Sequence, residues 1–264
     1  MKQGAYVLFI LLIIAFVLSG VFSSNKSIFP VVNWWNSLFN KDAATTTHSK
    51  SLSDTYDGVD TIQIDLVSAD LVISKENVRE IELSYSGNGE LVVSEKGKTL
   101  TIKEEFKSWN LGSVSKGELI LKIPNDLTKL ETKVISGNTD ISNLSFDKLN
   151  VESVSGRISI SDIKADDLSI KSISGRIKVD NVNFLNGFMK NVSGRIDSEI
   201  TDVWDSFSLE TVSGRVSLDL SSKITPEISF SSVSGELTSS ITGSDINCSI
   251  KVKTVSGDVK VSTR

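Results

Sequence analysis

A tripeptide, Val/Ile-Ser-Gly, returns seven times in the second half of this chain: VISGNTDI, SVSGRISI, SISGRIKV, NVSGRIDS, TVSGRVSL, SVSGELTS and TVSGDVKV. Its glycines are Gly137, Gly156, Gly175, Gly194, Gly214, Gly235 and Gly257, spaced 19, 19, 19, 20, 21 and 22 residues apart. A unit this short cannot bury a core alone, so repetition at this period demands that neighbouring units stack and share one. The segments are rich in Val, Ile, Ser and Thr, alternate with period two, and lie in a chain with only three prolines. That pattern predicts strands and argues against a helical repeat.

Parity within one repeat predicts its shape. In LSIKSISGRIKV, Leu168, Ile170 and Ser172 share a face; Ile173, Gly175, Ile177 and Val179 then take the same inward direction after a shift of one residue. Such a shift would turn a continuous strand over. Recurring at the same place (Thr211 before Val212, Ser232 before Val233), it predicts a corner between two short strands, with an inward-facing glycine supplying backbone freedom or close approach. Each repeat is then one coil of a parallel β-solenoid, paired with its neighbours at about 4.8 Å. A small residue precedes each corner: Val134, Ser153, Ser172, Asn191, Thr211, Ser232 and Thr254. Their polar members are expected to hydrogen-bond up the column or to the corner backbone. TIQIDLVSADLVI reads as an earlier coil, with Ile62, Ile64, Val67, Leu71 and Ile73 in the apolar slots and Ala69 in the place of glycine. The stretch from Val78 to Ile123 is irregular and is expected to cap the amino-terminal end of the stack.

Ala5 to Phe22 reads AYVLFILLIIAFVLSGVF, uncharged and preceded by Lys2. Its length suits one transmembrane helix with the carboxy-terminal body outside; a cleaved signal peptide, with Ser19, Gly20, Ser23 and Ser24 as the processing region, is the competing reading. Ile28 to Phe39 places Trp34, Trp35 and Phe39 just beyond, where such rings favour the headgroup level or pack as a tether. Asn40 to Tyr56 is polar and reads as a flexible spacer. The expected organisation is an anchor at 1–24, a juxtamembrane segment and linker at 25–56, and an all-β solenoid of 19–22-residue coils at 57–264.

The apolar N-terminus, the VSAD turn, the LILKIP segment and the SVSGRI and SISGRI units together resemble the DUF4097 family of adhesin candidates, which includes LiaG-like membrane-anchored proteins of Gram-positive bacteria. The resemblance covers about residues 58 to 264. It implies a β-helical extracytoplasmic domain associated with the cell envelope and its stress response, and it brings no catalytic residues. The sequence departs from the repeat at Ala69, and at Glu236 and Asp258, where neighbouring repeats carry Arg.

The formal charge of −5, with both signs mixed, gives no global basic field, so nucleic acid is not an expected partner. Cys248 and His48 are the only residues of their kinds, which leaves no internal disulfide, Cys-based zinc cluster or His-rich metal site. No cofactor, metal or catalytic residue is expected. The residue after each glycine carries the binding hypothesis. Arg157, Arg176, Arg195 and Arg215 would stack into an outward ladder whose guanidinium groups suit phosphate or carboxylate, as on teichoic acid or a carboxylated glycan. The plainer reading is a solvated face whose charges meet acids such as Glu152, Glu210 and Asp197. Lys133, Lys171, Lys190 and Lys253 alternate with Glu152 and Glu210 in a second column that reads as cross-coil pairing. Asp162, Asp166 and Asp167 form the densest acidic loop, and a solvated turn is the expected role. The functional expectation is a single-pass, membrane-anchored adhesin or envelope-interaction module. Its partners are the bilayer and an anionic wall polymer or another envelope protein. The alternative is an accessory sensor or scaffold acting through its anchor.

Overall fold

In chain order the strands are β1 (Thr46–Tyr56), β2 (Thr61–Leu66), β3 (Asp70–Lys75), β4 (Ile81–Lys96), β5 (Thr99–Glu105), β6 (Glu118–Ile123), β7 (Leu127–Ser136), β8 (Thr139–Ser155), β9 (Ile158–Leu220), β10 (Pro226–Ser232), β11 (Leu237–Ser239), β12 (Cys248–Ser256) and β13 (Val259–Thr263). The computed structural model describes residues 46–106, 117–241 and 246–264, with side chains placed from residue 52 onward apart from residue 88. The expected membrane helix over Ala5–Phe22 and the aromatic segment Ile28–Phe39 lie outside the described residues. Among the described residues no helix is long and apolar enough to cross a membrane.

All thirteen strands belong to one sheet wound into coils. β2 and β3 form a coil whose two halves pair in parallel with β7 and the start of β8, Ile62 opposite Leu130 and Leu71 opposite Thr139. The next coils continue the register 19 residues on, Leu149 opposite Leu168 and Ile141 opposite Ile160. Ladder pairing carries on through the corners, which is why β9 runs for 63 residues without a break. Each full coil has three sides. Val151 and Ile170 mark the first side, Ile160 and Val179 the second, and Ile163 and Val182 the third; all are buried. A residue with positive φ stands at the corner between the second and third sides: Asn143 at 60°, Asp162 at 55° and Asn181 at 53°. Asn and Asp tolerate this left-handed conformation. Their side chains also bond along the axis, Asn181 Nδ2 to Asp162 Oδ1 at 2.6 Å and Thr201 Oγ1 to Asn181 Oδ1 at 2.8 Å.

The core is the stacked inward residues of all coils, including Ile62, Ile64, Leu149, Ile170, Phe184 and Phe207, the last two with ring centroids 5.4 Å apart. Burying one such side chain contributes about 2 kcal/mol. Inward assignments are corrected at four residues. Val67, Ile173 and Val212 are only half-buried and Val233 is 82% exposed. The β-branched residue of Val/Ile-Ser-Gly therefore sits on the corner itself, and inward direction resumes two residues after the glycine, at Ile177 or Val216. Leu66 and Ala69 instead fill inward places in the earlier coil.

The irregular stretch does cap one end. β5 and β6 make a coil parallel to β2 and β3. β4 crosses both antiparallel, Val93 opposite Ile102 and Leu83 opposite Leu121, and β1 pairs antiparallel with β4. The spacer reading of Asn40–Tyr56 is thus corrected over its last eleven residues, which form β1. An edge strand needs backbone donors and acceptors more than apolar side chains, so a Ser- and Thr-rich sequence suffices.

At the other end the coils leave sequence order. β12 pairs with β9 at Ser206–Ser213, and β10 lies outside β12. The last coil of the chain is therefore the penultimate layer. Ile250, Val252, Val259 and Val261 are fully buried there, whereas Ile228, Phe230 and Leu237 of the outer coil are half-buried. The more apolar coil takes the slot covered on both sides, where its burial is worth most.

Candidate functional site

The glycine corners set the geometry of the outward charges. A Cβ on Gly156, Gly175, Gly194, Gly214 or Gly257 would overlap the carbonyl oxygen of the glycine one coil before, and one on Gly235 would overlap that of Gly257. Gly156, Gly175 and Gly194 also have φ of +138°, +150° and +145°. The glycines thus face along the stack axis rather than inward, and close approach of backbones is what excludes a side chain. Gly137 lies against the Ala69 carbonyl in the same way, and Gly117 and Gly87, which the repeat does not mark, extend the row beyond Ala69.

The small column ahead of the corner packs beneath the glycines. Asn191 Nδ2 donates to the Gly175 carbonyl at 3.2 Å, and the Gly235 amide donates to Ser232 Oγ at 2.6 Å. The hydroxyls of Ser153, Ser172 and Thr254 are buried without a hydrogen-bond partner, so the expected ladder of bonds is incomplete. Size is what the column shares: Val134 Cγ1 lies 3.2 Å, and Asn191 Nδ2 3.1 Å, from where a Cβ on Gly137 or Gly194 would stand.

The amino-terminal head of this column is Glu104, 3% exposed, and the repeat gave no hint of it. It follows Lys103, the partner of Asp65, and so stands beside Leu66. Its Oε2 accepts the amides of Val67, Ser68 and Ala69 at 2.8, 2.7 and 3.2 Å, and its Oε1 accepts Tyr85 Oη at 3.0 Å. In later coils a corner amide finds the preceding coil's carbonyl, as Ser136 N finds Val67 O at 2.9 Å. Glu104 supplies the acceptors for the first corner. Burial, reinforced by the Glu104 carboxylate, pushes the Tyr85 hydroxyl well above its ordinary pKa.

The residue after the glycine forms one outward column. From register it runs Glu118, Asp70, Asn138, Arg157, Arg176, Arg195, Arg215, Asp258, Glu236. The four arginines are brought together as expected, in a stripe about 14 Å long at the strand spacing, with acids at both ends. Asp197 bridges the central pair: its Oδ2 lies 2.6 Å from Arg176 Nη2 and its Oδ1 2.6 Å from Arg195 Nε. Arg157 and Arg215 are exposed and have no ion pair among the described residues. Asn138 Oδ1 accepts the Arg157 amide at 3.2 Å and the Asn138 amide donates to Asp70 Oδ1 at 2.6 Å, so the column is keyed to the backbone at one end.

The second charged column pairs across coils. Lys171 Nζ lies 3.0 Å from Glu152, and Glu210 receives Lys190 at 3.3 Å and Lys253 at 3.6 Å. Asp65, between Lys103 and Lys133 in this column, has its pKa raised by burial against the opposing pull of both lysines. Folding therefore favours the protonated form. The stability this contributes is fully present below the ordinary aspartate pKa and is lost as pH rises through the higher folded value. Urea melts from about pH 4 to about pH 7 should show the stability of the wild type relative to Asp65→Asn falling as pH rises; a constant difference would remove the effect.

The acidic loop is dispersed. Asp162 accepts Asn181 at the second corner, Asp167 accepts Asn186 Nδ2 at 3.3 Å at the third, and Asp166 borders a shallow depression of about 330 Å³ with Asp126, Asp147 and Lys164. Among the described residues no three His, Cys, Asp or Glu side chains are grouped to hold a metal. Cys248 is buried, and burial pushes its thiol pKa up, away from the reactive thiolate.

A family model described as Toastrack DUF4097 matches residues 59–264. Similar solved structures include an adhesin candidate from Bacteroides fragilis NCTC 9343, with 15% identity over 81% of this chain and 97% of that one and a TM-score of 0.47. A candidate lipid-binding protein from Parabacteroides distasonis ATCC 8503 is 16% identical over 80% and 97%, with a TM-score of 0.48. An adhesin candidate from Parabacteroides merdae ATCC 43184 is 15% identical over 81% and 96%, with a TM-score of 0.41. No curated protein matches the chain.

Proposed function

The chain belongs to the Toastrack DUF4097 family, and from that premise we propose that it is a membrane-anchored, extracytoplasmic adhesion module that holds an anionic envelope polymer on its arginine column. The observation that carries this reading is the state of Arg157 and Arg215. Four guanidinium groups at strand spacing repel one another, and a single internal carboxylate, Asp197, offsets only the central two. The outer two present forked donors to solvent, suited to phosphate or carboxylate oxygens. The apolar run Ala5–Phe22 supports an anchor that leaves the solenoid outside the membrane. No covalent step is part of the proposal; the work of the surface is binding.

The test is binding of the full chain, held in detergent micelles, to purified poly(glycerol phosphate) teichoic acid across a salt series. Binding should weaken with salt. Arg157→Ser with Arg215→Ser should lose about tenfold or more, as two charge-assisted contacts go. Asp197→Asn should bind more tightly, because it frees Arg176 and Arg195. Equal binding by all three proteins would exclude the column as the binding surface.

A further inference from the structure

The two ends of the stack are finished differently. One is closed by the antiparallel strand β4 and then β1. The other stops at β10 and β11, which pair only inward, with β12 and β13, and among the described residues no strand lies against their outer edges. An open parallel edge offers a row of backbone donors and acceptors, and proteins that must keep such an edge free place lysines or prolines along it. This edge has Pro226 at its start and no lysine or arginine from Pro226 to Ser239; its only charges are Glu227 and Glu236. Its inward residues Ile228, Phe230 and Leu237 pack on the core yet stay half-buried, as a layer does that lacks its next layer.

The inner neighbour shows what kind of strand fits. β12 reads SIKVKTVS along Ser249–Ser256, with Ile250 opposite Ile228, Lys251 opposite Ser229, Val252 opposite Phe230 and Lys253 opposite Ser231. Apolar residues thus extend the core while lysines stand over serines on a strand that carries acid. We propose that the outer edge of β10 is a strand-addition site for an extended segment of a partner protein in which Ile or Val alternates with Lys. Backbone pairing supplies affinity and the alternating side chains supply selectivity. Charge sets the occupant. A second copy stacked on this face would bring together two edges that carry only acid, with no lysine or arginine on either to offset Glu227 and Glu236, whereas a lysine-bearing strand supplies the opposite charge. The site is at the end of the stack and does not depend on the arginine column.

The probe is the peptide SIKVKTVS, fluorescently labelled and titrated with the full chain in detergent micelles. Expected are saturable, salt-weakened binding and slowed amide exchange at Ser229–Ser232, with β12 protection unchanged. Ser229→Lys with Ser231→Lys should weaken binding about tenfold or more by placing like charges opposite the peptide lysines; Lys251 and Lys253 of β12 face the same two positions, so β12 amide protection in the free variant is read first and, where it falls, the peptide comparison alone decides. The peptide SIEVETVS should bind at least about tenfold less well for the same reason. Four results overturn the proposal: no binding, equal binding of the two peptides, loss of β12 protection, which would mean exchange into the inner slot, or self-association of the chain that persists and excludes the peptide.

Discussion

Gly175→Val is expected to lower the melting temperature of the stack by roughly 10 °C or more. A Cβ there overlaps the Gly156 carbonyl oxygen, and the φ of +150° is one that β-branched residues do not adopt. The obstacle is backbone, held by ladder pairing on both sides, so neither coil can move aside without breaking its register. Overpacking and left-handed strain together cost about 4 kcal/mol or more, equivalent to roughly 10 °C in Tm for a domain this size. Gly97→Ala separates the two terms. Gly97 has a φ of +61° but nothing within 4 Å of a Cβ, so only strain remains and the loss should be about 1 kcal/mol. Circular-dichroism melts of the three proteins decide the matter. Equal melting of Gly175→Val and wild type would show that the glycine row does not hold the coils at close approach.

Glu104→Ala is expected to be the costliest single change outside that row. It strands the amides of Val67, Ser68 and Ala69 and the hydroxyl of Tyr85 in a site that is buried at Ala69 and Tyr85 and half-buried at Val67 and Ser68. Each unsatisfied buried donor costs about 1–3 kcal/mol, and relaxation recovers part of the sum, which leaves about 3–5 kcal/mol. Glu104→Gln keeps one acceptor oxygen and should fall between. Urea denaturation gives the magnitude and amide exchange gives the place: protection should drop first at Val67–Ala69. A loss confined to other strands would mean that the carboxylate does not organise the first corner.

The coil, its length and the stacking of glycines were legible because each repeat carries the same steric demand at the same position. Arg157 to Arg215 fall in one column for the same reason. The corner was placed one residue too early, since Ile173 and Val212 are β-branched and look like core; position on a corner overrides that preference. Gly87 escaped because β4 runs antiparallel and breaks the period, and Gly117 because SKGEL lacks the Val/Ile-Ser pair directly before its glycine, although the row of close contacts continues through both. Glu104 was within reach. In TLTIKEE it shares parity with Leu100 and Ile102, and an acid on the buried side of a strand needs a partner. Asp197 pairs with arginines from two coils, which no linear pattern contains. The order of the last two coils was not legible either, because SVSGEL and TVSGDV satisfy the same corner, and only their burial distinguishes them.

That inverted order gives the coil Cys248–Thr263 an unusual duty during synthesis. Chains emerge amino terminus first and begin to fold as they do, so a sequentially wound solenoid could add its layers as they arrive. Here Pro226–Ser239 leaves the ribosome before the coil that belongs beneath it, and its native seat does not exist until Cys248–Thr263 has been made. The later-made coil is an interior course of the wall rather than its coping. A chain cut before Cys248 loses its penultimate storey and leaves Pro226–Ser239 without the layer on which it packs.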